Sequence, residues 1–378
     1  MATETTGFWL FEGLEEEPYG LLPLVNLSAK GTATSTKKVE RIGSYQWNLE
    51  EDEPVIIIPG LPPESFYWPG GRLSQDHGVL VYDINHLKVK DGTLDPLILA
   101  ARHLGVQRKK EINFDEYDFI TDSVNLQKLF AFAQEAGEGK TFRIDCERVG
   151  KTVLLSRMEA SDLMEIGHVT FDQALKAKMT KPRSKHCAGP FFQLVSYQFA
   201  MKLGPYEDVP QLPAKKPFEE NANINFVDFG DLSKHLTVKN ISGAGFPFFT
   251  WAQLFFTCAD QEIVGFFKGN GDFGKPAMHS LPDVSKLMKP LPYVVLSKVH
   301  DCLNKIRLFL MRNDPTFRFG LIWKGKAHLE IFAKHLDSEG AVSPKVREFL
   351  QTQCKEVEEN DLGHSDQNPS VPAEAVAQ

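Results

Sequence analysis

Two stretches of alternating residues place polar side chains at the spacing of a β-strand, in which residues i and i+2 point to the same side. Residues 194–203 put Gln198 and Ala200 opposite an apolar set, and residues 236–240 do the same for Thr237 and Lys239. If the two strands are neighbours, these four side chains converge. The set has an amine, an amide and a hydroxyl but no carboxylate, so its spacing alone indicates an ordinary amphipathic strand pair.

Hydrolysis of a phosphodiester with a metal ion requires more negative charge than this set supplies. Magnesium and manganese take oxygen ligands, and several carboxylates facing one cavity hold them against the scissile phosphate. A different alignment would add carboxylates to this set. Asp228 or Asp231 could take the place of Thr237, and Glu207 and Asp208 could approach the set from beyond the first strand. The sequence leaves these alignments open.

A run of cations lies at and beyond the end of a predicted helix. Its members are Lys176, Lys178, Lys181, Arg183 and Lys185. Such a run is typical of a solvated surface, and it is also a pattern that contacts RNA phosphates in a salt-dependent way. The net charge of −8 does not decide between these interpretations, because net charge says little about a local patch.

Three further patterns favour structure over chemistry. The segment G-N-G-D-F-G at 269–274 has no clear helix after it, so we interpret it as a turn and expect no nucleotide cofactor. His168 is interpreted as a surface residue, because a lone histidine is more often that than a general base. His186 and Cys187 are adjacent but lack partners at zinc-binding spacing.

The composition is that of a globular protein, with 42% hydrophobic residues. The sequence has no apolar run of about 18 residues, so no membrane span is expected. The start of the sequence has no basic segment followed by an apolar one, which argues against a secretory signal. The five cysteines are scattered without a C-x-x-C pair, which favours a reducing, intracellular compartment, either cytoplasm or nucleus.

The predicted elements alternate between strand and helix. Strands are predicted at 55–58, 79–82, 191–203, 236–240 and 262–268, with hairpins at 141–158 and 317–332. Helices are predicted at about 123–133, from Ser161 or Asp162 to about 178, at 248–259 and at 293–311. This order predicts an α/β (α+β) fold with a mixed β-sheet core flanked by helices.

Composition also divides the chain. Residues 1–40 predict a loosely ordered lead-in, 41–335 a single domain, and 336–378 a C-terminal extension. After about residue 355 the sequence becomes polar and lacks aromatic residues, so we expect disorder there.

Several motifs in order resemble one family. A series of segments looks, in order, like successive motifs of the DXO-type decapping exoribonucleases. The segments are D-F-I-T at 118–121 with L-x-K-L at 126–129, the strand pair ending in Glu159, G-H-V-T-F-D-Q at 167–173, L-T-V-K at 236–239, W-A-Q at 251–253 and the strand at 263–267. The order holds over residues 118–332. The chain resembles divergent fungal proteins related to that family.

The resemblance implies a fold and a set of site residues. Asp172 aligns with a metal-binding glutamate, Lys239 and Gln253 match family residues, and Glu159 is a further candidate carboxylate. Gln198, Ala200 and Thr237 stand where the family has carboxylate ligands, and D-S-V at 122–124 replaces its W-R-G. By this alignment Asp172 is the metal ligand, if there is one.

These departures lead to three hypotheses. The first is a pseudoenzyme that keeps the fold, needs no cofactor and binds RNA 5′ ends or a protein partner. The second is an active metal-dependent decapping and 5′–3′ exoribonuclease or pyrophosphohydrolase, which uses Mg or Mn with Asp172, Glu159 and Lys239. The third is a scaffolding protein without a ligand.

Overall fold

The computed structural model describes residues 8–27, 33–134, 141–166, 170–201, 224–226, 236–241, 246–259, 261–288 and 292–364. The helices in these ranges are α1 (Ile84–Lys88), α2 (Asp95–Gln107), α3 (Ser123–Ala133), α4 (Asp172–Met179), α5 (Phe246–Thr257), α6 (Leu281–Ser285), α7 (Pro292–Arg312) and α8 (Pro344–His364). The strands are β1 (Gly20–Pro23), β2 (Ala33–Asn48), β3 (Val55–Ile58), β4 (Glu64–Ser65), β5 (Gly71–Arg72), β6 (Val79–Val81), β7 (Phe119–Thr121), β8 (Phe142–Val149), β9 (Thr152–Met158), β10 (Leu163–Glu165), β11 (Thr180–Lys181), β12 (Phe191–Met201), β13 (Ile224–Phe226), β14 (Leu236–Ile241), β15 (Gln261–Gly269), β16 (Asp272–Phe273), β17 (Ala277–Ser280), β18 (Phe319–Trp323) and β19 (His328–Ala333).

Three larger sheets organise these strands. A six-stranded mixed sheet has the order β1-β19-β18-β8-β9-β7, and a four-stranded sheet has the order β12-β2-β3-β13. The third sheet has the order β14-β15-β16-β5, with β17 also paired to β15. Two short ribbons join β10 to β6 and β11 to β4. The fold is therefore the mixed α+β arrangement that the sequence predicts.

One face of the six-stranded sheet carries the main hydrophobic core. Helices α3, α5 and α7 pack on it, with Phe130, Trp251 and Val299 fully buried. Helix α3 begins where its sequence predicts, because the Asp122 carboxylate accepts a hydrogen bond from the Val124 amide at 2.6 Å. The predicted β8–β9 hairpin is also confirmed. It turns at Gly150, which has a φ of +58°.

The predicted helix from Ser161 or Asp162 begins later than expected. Leu163–Glu165 forms strand β10 against Val79–Val81, and α4 begins at Asp172. The first free amides of α4 donate to the carboxylate of Asp76, at 3.0 Å from Gln173 and 2.8 Å from Ala174. A cap supplied from almost one hundred residues away leaves no local signal in the sequence.

Both flanking segments attach to the six-stranded sheet. Strand β1 of the predicted lead-in pairs with β19, and Leu10 and Leu14 are buried nearby, so the expectation of loose order is wrong for this part. In the C-terminal extension, Val346 and Leu350 of α8 pack into a second core. Helix α8 continues to His364, past the predicted start of disorder at 355. The single domain itself stays a prediction.

The other face of β8 explains why both segments are held. Alternation along the strand places Arg143, Asp145 and Glu147 opposite the main core, yet all three are buried. Buried charges are costly unless they are paired and hydrogen-bonded. Segments from the two ends of the chain supply most of the partners.

Arg143 holds the N-terminal segment. Its guanidinium donates to both oxygens of Asp145, at 2.5 and 3.0 Å, and to the carbonyls of Leu10 and Glu12 at 3.3 and 2.6 Å. Lys334 also pairs with Asp145. Burial would raise the pKa of Asp145, but the charges of Lys334 and Arg143 outweigh burial and lower it.

Glu147 holds the C-terminal segment. Its carboxylate accepts from the Ala341 amide at 3.0 Å and pairs with Arg318 at 2.9 Å and with Arg347. These contacts fix the chain that leads from β19 into α8. One strand therefore anchors residues from both ends of the described chain.

Replacing Arg143 by Met should destabilise the protein by about 3–5 kcal/mol, because the carbonyls of Leu10 and Glu12 lose a donor and Asp145 loses one of its two cationic partners. Urea unfolding measures the loss, and limited proteolysis should show cleavage near the N-terminal segment. Lys110→Met is the control, since the Lys110–Glu40 pair is exposed. Equal stability of the two variants would show that Arg143 is not an anchor.

A histidine forms another connection to the C-terminal segment. His86 in α1 contacts Asp162 through Nδ1 at 2.6 Å and Glu339 through Nε2 at 3.1 Å. Burial lowers the pKa of His86, but the hydrogen bonds and charges of Asp162 and Glu339 raise it by more. The net shift of the pKa is therefore upward.

The stabilisation from His86 should therefore be complete below its unfolded pKa of about 6.5 and should be lost as pH rises through the higher folded value. We expect the stability difference between the protein and His86→Gln to be larger at about pH 6 than at about pH 9. Urea unfolding at both pH values checks this. A pH-independent difference would show that the bridge acts without its charge.

Candidate functional site

The two strands that the sequence pairs are in different sheets. The neighbour of β12 is β2, which places Gln198 next to Lys37 and Ala200 next to Ser35. The neighbour of β14 is β15, which places Thr237 in register with Glu262 and Lys239 with Val264. The predicted pairing of these strands is therefore wrong. The physical reason is that β2 extends over sixteen residues and hydrogen-bonds along all of β12.

Helix α4 brings Asp172 to the same part of the fold as Lys239. The backbone of α4 lies next to β14, and Asp172 is the first residue of the helix, with an exposed side chain. The buried carboxylate at this helix end is Asp76, which also accepts from Thr170 Oγ1 at 3.0 Å. Sequence reasoning missed Asp76, because its partners follow it by more than ninety residues.

Glu159 is held by two cations. Its carboxylate lies 2.9 Å from Lys128 Nζ and 2.7 Å from Arg157 Nε, and its side chain is 12% exposed. Burial lowers the pKa of Lys128, which the charge of Glu159 partly opposes. Arg157 also lies 3.7 Å from Asp83. The carboxylate of Glu159 is thus committed to an ion-pair network within the fold.

The W-A-Q motif serves mainly the core. Trp251 is fully buried, stacks between Phe130 and Phe255 at centroid distances of 5.1 and 4.8 Å, and donates through Nε1 to Ser285 at 2.8 Å. Gln253 in the same helix is half-buried. The motif therefore positions α5 against α3 and α6, whatever the role of Gln253.

Glu262 is an acidic residue that the sequence reasoning did not single out. It lies in β15, is fully buried, and is in register with Thr237 on β14 and with His279 on β17. The available signal was an acidic residue directly before an apolar run, E-I-V-G-F-F at 262–267. The sheet therefore carries a carboxylate one strand away from a position where the family resemblance expects one.

The predicted basic stretch is on the surface. Lys176, Lys178, Lys181, Arg183 and Lys185 are all exposed. Arg183 Nε donates to the Pro62 carbonyl at 3.0 Å, and Lys185 lies 3.8 Å from Glu50. Lysines on α4 point charge towards solvent on the side of the helix that does not pack. Exposed cations in this arrangement could bind an anionic ligand, and they are equally typical of a surface that contacts only water.

The remaining candidates are resolved in different ways. The turn expected in G-N-G-D-F-G is confirmed, since Asn270 and Gly271, with φ of +50° and +80°, join β15 to β16. His186 pairs with Glu50 at 2.7 Å on the surface. His168, Glu207, Asp208, Asp228 and Asp231 lie outside the described residues.

These residues do not fit a divalent metal ion well. Within the ranges that the structure describes, no group of three or more His, Cys, Asp or Glu side chains is arranged to hold one. Asp172 offers one exposed carboxylate, while Glu159 faces two cations, which would repel a metal ion. No catalytic step through a metal ion is derived from this arrangement.

Comparison with known proteins places the fold. The sequence matches a family described as a domain of unknown function (DUF8563) over residues 25–199. No curated protein matches it. Among the helices of the described ranges, none is both long and apolar enough to cross a lipid bilayer.

Several solved structures from yeasts share this fold. Scheffersomyces stipitis Rai1 is 11% identical with a TM-score of 0.56, covering 90% of this chain and 99% of that one. Candida albicans Rai1 in complex with pU5-Mn2+ is 12% identical with a TM-score of 0.53, covering 88% and 99%. Kluyveromyces (K.) lactis Dxo1 in complex with manganese is 10% identical with a TM-score of 0.52, covering 85% and 99%. The chain therefore has the Rai1/Dxo1 fold, that of the DXO family.

Replacing Glu159 by Gln should cost about 3 kcal/mol of stability, because Lys128 and Arg157 lose their shared counter-charge in a partly buried place. Chemical unfolding measures the loss. Glu165→Gln, the same substitution at an exposed position, should leave stability unchanged. Loss of manganese affinity without loss of stability would instead identify Glu159 as a metal ligand.

Proposed function

We propose that this chain is a catalytically impaired, divergent fungal-type relative of the DXO-type decapping exoribonucleases that binds RNA 5′ ends. The observation that carries the proposal is the chemistry of the ligand positions. Gln198, Ala200 and Thr237 offer no carboxylate, and the candidate Glu159 is neutralised by Lys128 and Arg157. Two-metal phosphodiester cleavage needs several carboxylates around the scissile phosphate.

Retained RNA binding is supported by charge. The exposed cations of α4 and the following segment form a local basic region on a chain whose net charge is −8. Neutralising phosphates with lysine and arginine releases counterions, which favours binding without any catalytic group. One structure with the same fold, Candida albicans Rai1, is in complex with pU5-Mn2+. A protein partner on this surface is the competing occupant.

An active enzyme is the second candidate, and one observation favours it. Glu262 is buried in β15 beside the position of Thr237, and Asp172 starts the helix that lies next to β14. In this candidate, a metal ion would be bound by these two carboxylates and by phosphate oxygens of the substrate. Lys239 and Gln253 would then contact the substrate, with Mg or Mn as the ion.

The compartment belongs to the same proposal. A protein that binds RNA 5′ ends works in the cytoplasm or the nucleus. Among the described residues, Cys146, Cys258, Cys302 and Cys354 form no disulfide, which suits a reducing environment.

Calorimetry with manganese and with magnesium, with and without a 5′-phosphorylated RNA oligomer, tests the proposal. We expect RNA to bind, to stay intact, and to bind equally without metal, because the positions at 198, 200 and 237 supply no negative charge. Gel analysis of the RNA from the same samples measures hydrolysis.

Asp172→Ala is the informative variant for this experiment, because Asp172 is the exposed carboxylate that the family resemblance makes a ligand. Under the proposal, this substitution changes neither the heat measured on addition of metal nor the integrity of the RNA. Metal-dependent consumption of RNA that disappears in Asp172→Ala would establish the active enzyme instead.

A further inference from the structure

Helix α4 belongs to a small unit with its own core, which we call the α4 lobe: residues 64–76, residues 170–179 and the β15–β16 hairpin. Its buried members include Leu73, Phe171, Leu175 and Phe273, and they form a cluster separate from the main core. The carboxylate of Asp76 fastens residues 64–76 to the start of α4. The lobe therefore packs around its own core at the β16–β5 end of the third sheet.

An open cavity of about 770 Å³ lies in this lobe. Phe171 and Phe267 form one wall, and Arg72, Ser74, Gln75 and Asn270 supply polar groups around it. None of these residues belongs to the predicted catalytic set. A cavity with flat aromatic rings, hydrogen-bonding side chains and a cation suits a ligand that is planar, polar at its edge and linked to negative charge.

The aromatic wall is built for stacking. Phe267 stacks on Phe171 with a centroid distance of 5.2 Å and an interplanar angle of 28°. Phe171 is buried and fixes the ring of Phe267, which is still 37% exposed. Tyr67 in the same lobe is 75% exposed. Exposed aromatic rings held by buried ones provide surfaces on which bases stack at little entropic cost.

Two cations, Arg72 and Lys275, lie close to the cavity and its neighbouring rings. Arg72 lines the cavity, and Lys275 Nζ lies 5.8 Å from the ring centroid of Tyr67. Residues 62–78, 170–186 and 261–276 contain eight Lys and Arg against five Asp and Glu, whereas the whole chain has 42 against 50. Two of those five acids, Asp76 and Glu262, are buried. The exposed surface of the lobe and of the adjoining residues 180–186 and 274–276 therefore carries more cations than carboxylates, on an acidic protein.

The cation run extends away from the cavity. Helix α4 starts directly after Phe171, and its eight residues span about 12 Å, so Lys176 and Lys178 lie within that distance along the axis. Lys181 and Arg183 continue the run beyond the helix. A mononucleotide would use the cavity alone, whereas a longer strand would use the cavity and the run together.

We propose that the α4 lobe is a binding site for single-stranded RNA, in which Phe267 stacks one base inside the cavity while Arg72 and the α4 lysines contact phosphates. The proposal deepens the proposed RNA-binding function, on which it rests, and it assigns the contact to a cavity that the catalytic residues do not line. Duplex RNA is excluded from this mode, because its bases are already stacked.

Fluorescence anisotropy with a labelled, 5′-phosphorylated oligouridine tests the site. Phe267→Ala should weaken binding about tenfold, and Phe267→Tyr, which keeps a ring, should restore it. Arg72→Gln should weaken binding and make the salt dependence shallower by about one counterion. Phe8→Ala is the control, since Phe8 is 85% exposed and lies outside the lobe.

Crosslinking gives a second measurement that does not depend on variant folding. Oligouridine containing 4-thiouridine should crosslink in the unmodified protein to peptides from residues 64–76 or 261–276. If RNA binds but Phe267→Ala is unaffected, or if the crosslinks lie elsewhere, the lobe is not the site and the proposed function survives. If duplex RNA or polyglutamate competes as well as oligouridine, the lobe recognises charge or an acidic protein instead, and the inference fails.

The two proposals fail separately. RNA that does not bind at all overturns both. Metal-dependent cleavage of RNA by a protein whose RNA affinity still depends on Phe267 overturns the impaired-enzyme proposal and supports the binding site.

Discussion

The buried charged face of β8 is the constraint on which the rest of the structure depends. Arg143, Asp145 and Glu147 lie on one side of a central strand and are removed from water. Their charges are tolerable only if partners surround them. The partners are backbone carbonyls near residue 10 and cations at 318, 334 and 347, so the sheet is complete only when both ends of the chain are docked.

This constraint separates the frame of the protein from its candidate site. The ion pairs of β8 and the Lys128–Glu159–Arg157 network stabilise the six-stranded sheet and use up acidic groups that could otherwise hold a metal ion. The α4 lobe has its own core and keeps its cations exposed. The proposed loss of ligands at positions 198, 200 and 237 would therefore leave the frame and the basic surface in place, so it is consistent with a binding role.

The elements that depend on neighbouring residues were predicted correctly from local sequence patterns. The cap at Asp122, the β8–β9 hairpin and the turn at Asn270 depend on neighbouring residues and are confirmed. The start of α4 depends on Asp76, and the partner of β12 is a strand more than 140 residues upstream, so neither had a local signal. For the candidate site, the sequence pointed to the carboxylate of Glu159 but not to its pairing with Lys128, because that pair exists only after α3 packs on β9.

The docking of both ends on β8 has a consequence for the order of folding during synthesis. Strand β8 is synthesised well before the partners of Glu147, because Arg318, Ala341 and Arg347 follow it by more than 150 residues. Until then the nascent chain carries an unpaired carboxylate that favours water over burial. The six-stranded sheet therefore closes only after residues 318–347 have been made, and contacts of such large sequence separation make that closure slow.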